Sequence, residues 1–302
     1  MIDNIFIVLV NWNLKEDTLD CVDSLLKAGI LSSRIIVVDQ GSTDGSVEEI
    51  TGRYNSTIQI IENKQNLGYA DGVNRGAIRA LDLGAEWVMV MNNDTTVSPT
   101  LFEELAKTAN QNPQVSIFGP MILYHHDPDR IWFLGDRLIP GTLITYSLYK
   151  DKIPPDKIPN ILSVDFISGC GMMIRSDIFR KVGHFDTSFF MYGEEVDFCQ
   201  RVRQSGYKLA SVPNAKMWHK VSLSANQDRL KSRYYRIRNQ IWIYRKYASF
   251  PQLLIMFIFS IVRSIWLGLK DLSFRRTPLI RPLIRGWHEG WLKGFEKNNS
   301  QL

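Results

Sequence analysis

The chain has 302 residues, of which 45% are hydrophobic and 22% are charged, a composition typical of a globular protein with a sizeable core and not of a disordered one. Its three cysteines, Cys21, Cys170 and Cys199, show no CxxC or CxxH spacing, so neither a disulfide framework nor a zinc site is indicated and we expect a reducing compartment. The formal net charge of +5 is unevenly distributed, and its positive excess lies at the C-terminal end.

The first half of the chain alternates short apolar runs with helical patterns. The apolar runs, which predict strands, lie at residues 5–10, 34–39, 57–63 and 86–94. Periodic stretches at residues 15–27 and 68–84 predict helices between them. Strands that are apolar on both faces and alternate with helices indicate a parallel α/β sheet. No basic segment precedes the first run and no small-residue cleavage site follows it, so no signal peptide is predicted.

Polar side chains end or directly follow three of these runs. They are Asn11–Asn13, Asp39 and Asn92–Asp94. Ligands of open α/β sheets bind at the carboxyl ends of the strands, so this edge is a candidate site. Asp39 could accept a hydrogen bond from a nucleobase imide or a ribose hydroxyl, or could simply cap a turn. Asp94 could bind Mg²⁺ or Mn²⁺, which prefer oxygen ligands, or could cap the next segment.

The middle of the chain is less regular. Residues 119–165 are rich in proline and could contain short strands or loops. The run at 164–175 predicts a strand with two glycines, where the backbone could pass close to a ligand. A helix is predicted over 194–204 with Gly206 as its stop, and a strand over 208–220.

Three carboxylates open the helix predicted over 194–204. Glu194, Glu195 and Asp197 lie in the stretch FFMYGEEVDF. Acidic residues are common at a helix start because the helix dipole stabilises them. The cluster alone therefore fits an ordinary helix start as well as a reaction centre.

The C-terminal end differs in character from the rest. From Leu230 onwards 14 Lys and Arg stand against 3 Asp and Glu, a net charge of +11, whereas the preceding residues carry a net charge of −6. Residues 231–248 are helical in period. Residues 249–269 are apolar enough to span a membrane, but Gln252 and Arg263 interrupt them, and an arginine at mid-membrane costs at least ~2.5 kcal/mol.

These features predict a partner for the tail. We expect an interfacial amphipathic anchor on an anionic membrane surface. The alternative is a helix packed on the body or on a second subunit of a homo-oligomer. A non-catalytic nucleic-acid-binding protein would also carry a basic tail, but the apolar run suits lipid better, and no nucleic acid is expected as a partner.

Read in order, the motifs of the chain resemble those of family 2 glycosyltransferases of GT-A fold. The motifs are VLVNWN, VVDQGSTDGS, NKQNLGYADGVNRGAIRA, MNNDTTV, GHFDTSFFMYGEEVDFCQRVRQSGY and WHKVS. Within the family, the chain is most similar to rhamnosyltransferase-type enzymes of bacterial surface polysaccharide assembly. The resemblance covers about residues 4–224. It implies an α/β fold with a mostly parallel central sheet flanked by helices, a glycosyltransferase domain over residues 1–225 and a C-terminal helical segment over residues 226–302.

The resemblance also implies a reaction. A nucleotide-sugar donor, with dTDP-rhamnose favoured and UDP-hexoses open, would pass its sugar with inversion to a hydroxyl of a lipid-linked glycan. Mg²⁺ or Mn²⁺ would neutralise the departing diphosphate. The enzyme would act in the cytoplasm, peripheral on the inner face of the cell membrane. No QxxRW motif or series of membrane spans follows the catalytic motifs, so transfer is expected to be non-processive. A polyprenyl-phosphate sugar synthase is the nearest alternative. Nucleotidyl transfer is disfavoured because no Gly-rich, basic phosphate loop is present near residues 10–20.

The resemblance assigns roles to individual residues. It implies that the donor nucleotide is bound by Trp12, Asp39, Asn74, Arg75 and Asn93. The implied metal ligands are Asp94 and His219. The implied catalytic base is Glu195, with Glu194 and Asp197 as further candidates. Two positions depart from the family pattern. Asn92 replaces the first Asp of the DxD motif, which leaves one fewer charge for the metal. Glu195 replaces the usual Asp and is one methylene longer, which leaves open which of the three carboxylates is the base.

Overall fold

The computed structural model describes residues 4–221 and 229–293. The strands within these residues, β1 to β12, are Ile5–Asn11, Ile35–Asp39, Gln59–Glu62, Trp87–Asn92, Thr95–Val97, Val115–Tyr124, Ile131–Phe133, Asp136–Leu138, Thr145–Ser147, Leu162–Val164, Gly171–Arg175 and Lys208–His219. The α-helices, α1 to α9, are Lys15–Lys27, Ser46–Arg53, Tyr69–Asp82, Leu101–Gln111, Ser176–Val182, Glu194–Gln204, Arg229–Tyr247, Phe250–Ser273 and Ile280–Leu292.

One large sheet organises the body of the protein. Its main strand order is β10-β12-β6-β11-β4-β1-β2-β3. The strand β1 pairs in parallel with β2 and β4, and β3 extends this parallel half beyond β2. The strand β11 runs antiparallel between β4 and β6, and β12 is parallel to β6. The α/β architecture predicted from the sequence is confirmed.

Helices cover both faces of the sheet, and alternate side chains of a strand therefore pack into different hydrophobic cores. Ile7 and Leu9 of β1 pack in the cluster that includes residues of α1 and α4. Phe6 and Val8 pack in the opposite cluster with α3. The helix α3 approaches closely at Gly76, where an added Cβ would lie 2.3 Å from the side chain of Val8. This double coverage explains why the strands read as continuous apolar runs.

The strand predicted over residues 164–175 is wrong in its extent. The strand β10 ends at Val164 and pairs with β12, whereas β11 begins at Gly171 and lies between β4 and β6. Between them the N–H of Gly171 donates to the carbonyl of Ser168 at 3.1 Å, which marks a turn. Phe166 and Ile167 are nevertheless buried, so hydrophobicity alone gave no sign of the break.

The helices predicted in the tail are present as α7 and α8. The helix α8 begins with a capping box formed by Ser249 and Gln252. It is long and apolar enough to cross a membrane, and only 11% of its apolar window is buried. A third helix, α9, packs along α7. The domain boundary predicted between residues 225 and 226 lies outside the described residues.

Candidate active site

Asp39 lies in a hydrogen-bonded network at the carboxyl edge of the sheet. The register places Asn11 of β1 opposite Asp39 of β2, and the amide of Asn11 donates to Asp39 Oδ2 at 2.8 Å. The backbone N–H of Ser42 donates to Asp39 Oδ1 at 2.8 Å. The amide of Asn93 donates to Asn11 Oδ1 at 3.0 Å and to Thr18 Oγ1 at 2.8 Å. The polar residues at the carboxyl ends of β1, β2 and β4 therefore share one network, with Asp39 held in a fixed orientation.

Asp94 and His219 meet next to this network. The strand β12 ends at His219, opposite Thr95 of β5, and both Asp94 and His219 are buried. His219 Nε2 lies 3.1 Å from Asp94 Oδ1. The geometry is not that of a hydrogen bond, and neither ring nitrogen of His219 has a hydrogen-bond partner among the described residues. Trp132 packs edge-on against the imidazole, with ring centroids 4.5 Å apart.

This pair fits a divalent cation. Buried polar atoms normally have partners, so an imidazole with two unpartnered nitrogens beside a carboxylate indicates a ligand. Neighbouring ligands of an octahedral cation at ~2.1 Å lie about 3.0 Å apart, close to the observed 3.1 Å separation. No group of three or more His, Cys, Asp or Glu within the described ranges could hold a metal. A site with two protein ligands leaves coordination positions for water and for substrate phosphates, as is common for Mg²⁺.

The remaining residues assigned to the nucleotide lie in different surroundings. Trp12 is half-buried directly after β1. Arg75 donates to Asp71 Oδ1 at 2.6 Å along α3. Asn74 is buried, and both ends of its amide bond the backbone of Phe185, at 2.8 and 2.9 Å. The side chain of Asn74 is thus committed to holding the segment before α6.

The three candidate carboxylates at the start of α6 have distinct surroundings. Asp197 is fully buried, and its oxygens contact Arg201 at 2.8 Å, Tyr247 at 2.6 Å and Lys246 at 2.6 Å. Glu194 is buried and its Oε2 has no hydrogen-bond partner within the described part of the chain. Glu195 is half-buried.

Burial distinguishes the two glutamates from ordinary surface carboxylates. It raises the pKa of Glu194 well above its usual value, and the charge of Glu195 adds to the effect. Burial also raises the pKa of Glu195, opposed by the N–H of Gly193, which donates to Oε2 at 3.1 Å, and by the positive charge of Arg236. Glu195 therefore has one oxygen held by the backbone and a raised affinity for a proton.

Tyr69 connects the glutamates to the strand edge. Its hydroxyl donates to the carbonyl of Gly169 at 2.8 Å, and a Cβ added at Gly169 would lie 3.7 Å from the Cβ of Glu195. Burial raises the pKa of Tyr69, and the negative charges of Glu194, Glu195 and Asp94 contribute. The tyrosine thus lies beside the candidate base, and the next residue after Gly169, Cys170, accepts from the N–H of Asn92 at 3.2 Å, which connects the glutamates to the strand end that carries Asp94.

The 189–193 loop, which leads into α6, is held by α7. Phe190, Tyr192 and Gly193 have positive φ angles of 59°, 64° and 98°, conformations that L side chains rarely adopt. The buried amide of Asn239 donates to the carbonyls of Phe189 at 2.9 Å, Met191 at 2.9 Å and Tyr192 at 2.6 Å. The loop before Glu195 is therefore fixed by a helix of the C-terminal tail.

Sequence reasoning missed Tyr69, Arg236 and Asn239. Tyr69 lies in the motif NLGYADG, five residues before Asn74, so its position in the sequence could have marked it as a residue of the site. Arg236 and Asn239 lie among the mixed aromatic and basic residues of α7. Nothing in that pattern indicated a contact with a loop more than 40 residues earlier.

Comparison with known proteins points to one reaction class. Residues 6–183 match the family described as Glycosyl transferase family 2. An N-acetylglucosaminyl-diphospho-decaprenol L-rhamnosyltransferase of Mycobacterium tuberculosis is 27% identical over 218 residues, which cover 64% of this chain and 68% of that protein. The dTDP-rhamnosyl transferase RfbF of Shigella flexneri is 23% identical over 254 residues, covering 82% and 81%. The mannosyltransferase PcManGT from Pyrobaculum calidifontis, in complex with GDP-Man and Mn²⁺, superposes with a TM-score of 0.58 at 12% identity, covering 96% of this chain and 88% of that one.

Proposed function

The chain belongs to glycosyl transferase family 2 and has the GT-A fold, and from this premise we propose an inverting transfer of a sugar from a nucleotide diphosphate to an acceptor hydroxyl. The observation that carries the proposal is the convergence of Asp39, the Asp94–His219 pair and Glu195 around one edge of the sheet. A single displacement needs a base, an electrophile held in line and a group that stabilises the leaving charge.

Glu195 is the proposed base. Asp197 is engaged by Arg201, Lys246 and Tyr247, so its charge stabilises the contact between α6 and α7. Glu194 is buried more deeply than Glu195. Glu195 alone combines partial exposure with a backbone N–H that orients one oxygen, which leaves the other to take the proton of the acceptor hydroxyl.

Asp94 Oδ1 and His219 Nε2 are the proposed ligands of Mg²⁺ or Mn²⁺. When bound, the cation would neutralise charge that develops on the leaving diphosphate. Asp39 would accept the imide N–H of uracil or thymine, and Trp12 would lie against the base. Arg75 and Asn93 complete the donor side, with Asn93 acting through its bonds to Asn11 and Thr18. Asn74 would act indirectly, through the segment at Phe185.

A rhamnose donor and a lipid diphosphate acceptor are favoured by the relatives. The names of two of them specify rhamnosyl transfer, and one names a diphospho-decaprenol carrier. We place the enzyme on the cytoplasmic face of the membrane, in the synthesis of surface polysaccharide and with non-processive transfer.

The outer face of α8 is the proposed membrane contact. Leu254, Val262, Trp266 and Leu269 are between 58% and 61% exposed. Two of the three charged residues of the helix turn inward, since Arg263 bonds Gln240 and Asp271 bonds Arg233. The third, Lys270, is exposed and lies over the ring of Trp266 near the end of the helix. A helix with its apolar face outward and its polar face on the body suits the plane of the bilayer surface. The division at residues 225/226 stays a prediction, as does a homo-oligomer that would cover the same face.

Vesicle sedimentation of the full chain tests this placement. Val262→Asp should lower binding to phosphatidylglycerol vesicles. The matched control Leu31→Asp, at a position 57% exposed on the body, should not. Equal binding by both variants, or a stable dimer whose formation Val262→Asp abolishes, would contradict the membrane contact.

The transfer itself is tested with purified enzyme and a panel of sugar nucleotides. One donor should raise thermal stability in the presence of Mn²⁺ or Mg²⁺, since a ligand at 100 times its Kd adds about 2.7 kcal/mol. That donor should then transfer its sugar to an N-acetylglucosaminyl diphosphate lipid. Stabilisation and turnover by none of the donors would refute the proposed function.

A further inference from the structure

A stripe of polar residues lies along one face of α7 and bonds two residues of α8. Arg233, Arg236 and Gln240 are spaced three and four residues apart, which places them on one face of the helix. Both oxygens of Asp271 on α8 accept from Arg233, at 2.9 and 3.0 Å. Gln240 accepts from Arg263, also on α8. The two contacts lie on either side of Arg236.

Arg236 reaches the loop that carries the base. Its guanidinium lies 4.3 Å from the centroid of the Tyr192 ring. Tyr192 is itself tied to α7, because its hydroxyl bonds Ser232 at 3.4 Å. The positive charge of Arg236 also lowers the pKa of Glu195. Arg236 therefore lies against the loop that leads to the base, and its positive charge acts on Glu195.

Positive charge in this cluster exceeds the negative charge available to it. Arg236 is exposed and forms no ion pair with the residues that the structure describes. Arg263 bonds the neutral amide of Gln240. Burial lowers the pKa of Arg263, and the nearby charges of Arg233 and Arg236 contribute. Among these three arginines, Asp271 is the carboxylate partner of Arg233 alone. Two guanidinium groups thus retain donors for an anion.

We propose that Arg236 and Arg263 bind the diphosphate of the lipid-linked acceptor, an inference that rests on the proposed function. In a single-sugar acceptor such as the N-acetylglucosaminyl diphosphate lipid, the diphosphate lies one ring from the hydroxyl that meets Glu195, and the lipid must run from there to the bilayer. Arg236 packs on Tyr192, three residues before Glu195, and Arg263 belongs to α8, the helix with the exposed apolar face. The anion would bridge these two ends. A guanidinium presents five N–H donors in a planar fork that matches phosphate oxygens.

Binding of a sugar-free probe tests the site. Full-length enzyme in neutral detergent is titrated with undecyl diphosphate, with undecanol as the uncharged reference. Arg236→Gln should weaken binding of the diphosphate by about 10- to 100-fold, as expected for loss of a charge-assisted contact. Binding of undecanol should not change. Arg281→Gln, an exposed arginine of α9, is the matched control and should bind the diphosphate as the wild type does.

The pH profile gives a second readout. Removing the charge of Arg236 should raise the pKa of Glu195, so the acidic limb of the transfer rate should move to higher pH. Equal affinity of wild type and Arg236→Gln for undecyl diphosphate would overturn the inference. So would an equal loss of binding to phosphatidylglycerol vesicles free of diphosphate, because the arginine would then bind membrane headgroups.

The two proposals fail separately. Normal diphosphate binding by Arg236→Gln, with sugar transfer intact in the wild type, would refute the proposed diphosphate site and leave the proposed transferase activity standing. Cleavage of no sugar nucleotide by the wild type removes the transferase, whatever the arginine variant binds.

Discussion

Replacing Glu195 by Gln removes the proposed proton acceptor while keeping the size of the side chain. The amide oxygen can still accept from the N–H of Gly193, so the start of α6 should persist. A positioned general base typically contributes ~10²–10⁴-fold to the rate, which corresponds to about 2.7–5.4 kcal/mol in the activation barrier. We therefore expect kcat to fall by that factor, with donor affinity unchanged because Asp39 and the Asp94–His219 pair are untouched.

The assay separates binding from chemistry. Donor affinity is measured by calorimetry with metal present, and transfer is measured under saturating donor and acceptor. The pH profile of the wild type adds a check. A base must be ionised, and burial raises the pKa of Glu195 above 4.5, so activity should fall on the acidic side with a midpoint above that value. Glu195→Gln should abolish this limb.

Neighbouring substitutions decide the assignment. Asp197→Asn breaks a buried contact with Arg201 and Lys246 and should cost about 3–5 kcal/mol in unfolding free energy, visible as a lower Tm. Near-normal turnover by Glu195→Gln would refute the assignment. If Glu194→Gln lost turnover instead, with folding intact, the base would be Glu194.

Three further outcomes follow from the same geometry. His219→Ala should raise the Mn²⁺ concentration needed for donor binding by at least about tenfold. The control His126→Ala, at an exposed histidine, should not. An equal Mn²⁺ requirement of His219→Ala and the wild type would rule out His219 as a ligand. Glu194 has a raised pKa, so the folded protein holds this proton more tightly than the unfolded chain and loses stability as pH rises above 4.5. Glu194→Gln should therefore unfold at a higher urea concentration than the wild type at pH 8, and its free energy of unfolding should decline less between pH 5 and 8. A decline equal to that of the wild type would contradict this. Asn239→Ala leaves carbonyls of the 189–193 loop without a donor, which costs ~1–3 kcal/mol of unfolding free energy for each buried group left unsatisfied. It should lower kcat more than donor affinity. A lower Tm with normal kcat in the folded fraction would show that the role of Asn239 is only structural.

The strand edge was predictable because the relevant information is local. Asn11, Asp39 and Asn93 each follow an apolar run, and parallel strands bring their carboxyl ends together. The register then fixes the contact between Asn11 and Asp39. The pairing of Asp94 with His219 depends on β12, a strand that ends more than 100 residues after Asp94. The family resemblance alone predicts this pairing.

The supports of the base could not be predicted in the same way. Asn239 bonds three backbone carbonyls of the 189–193 loop, and backbone acceptors leave no trace in a sequence. The turn near Ser168 was hidden because buried Phe166 and Ile167 continue the apolar run. In the tail, the sequence alone indicates that Arg263 interrupts an apolar helix. Its bond to Gln240 shows that the break faces the body, which leaves the outer face of α8 apolar.

The anomeric configuration of the product tests the central claim most directly. The donor that the enzyme turns over is supplied with its anomeric configuration known, and the transferred sugar is examined by NMR before any rearrangement. A single displacement with Glu195 as base predicts complete inversion at the anomeric carbon. Retention of configuration would contradict it, because two displacements or a different nucleophile would then be required.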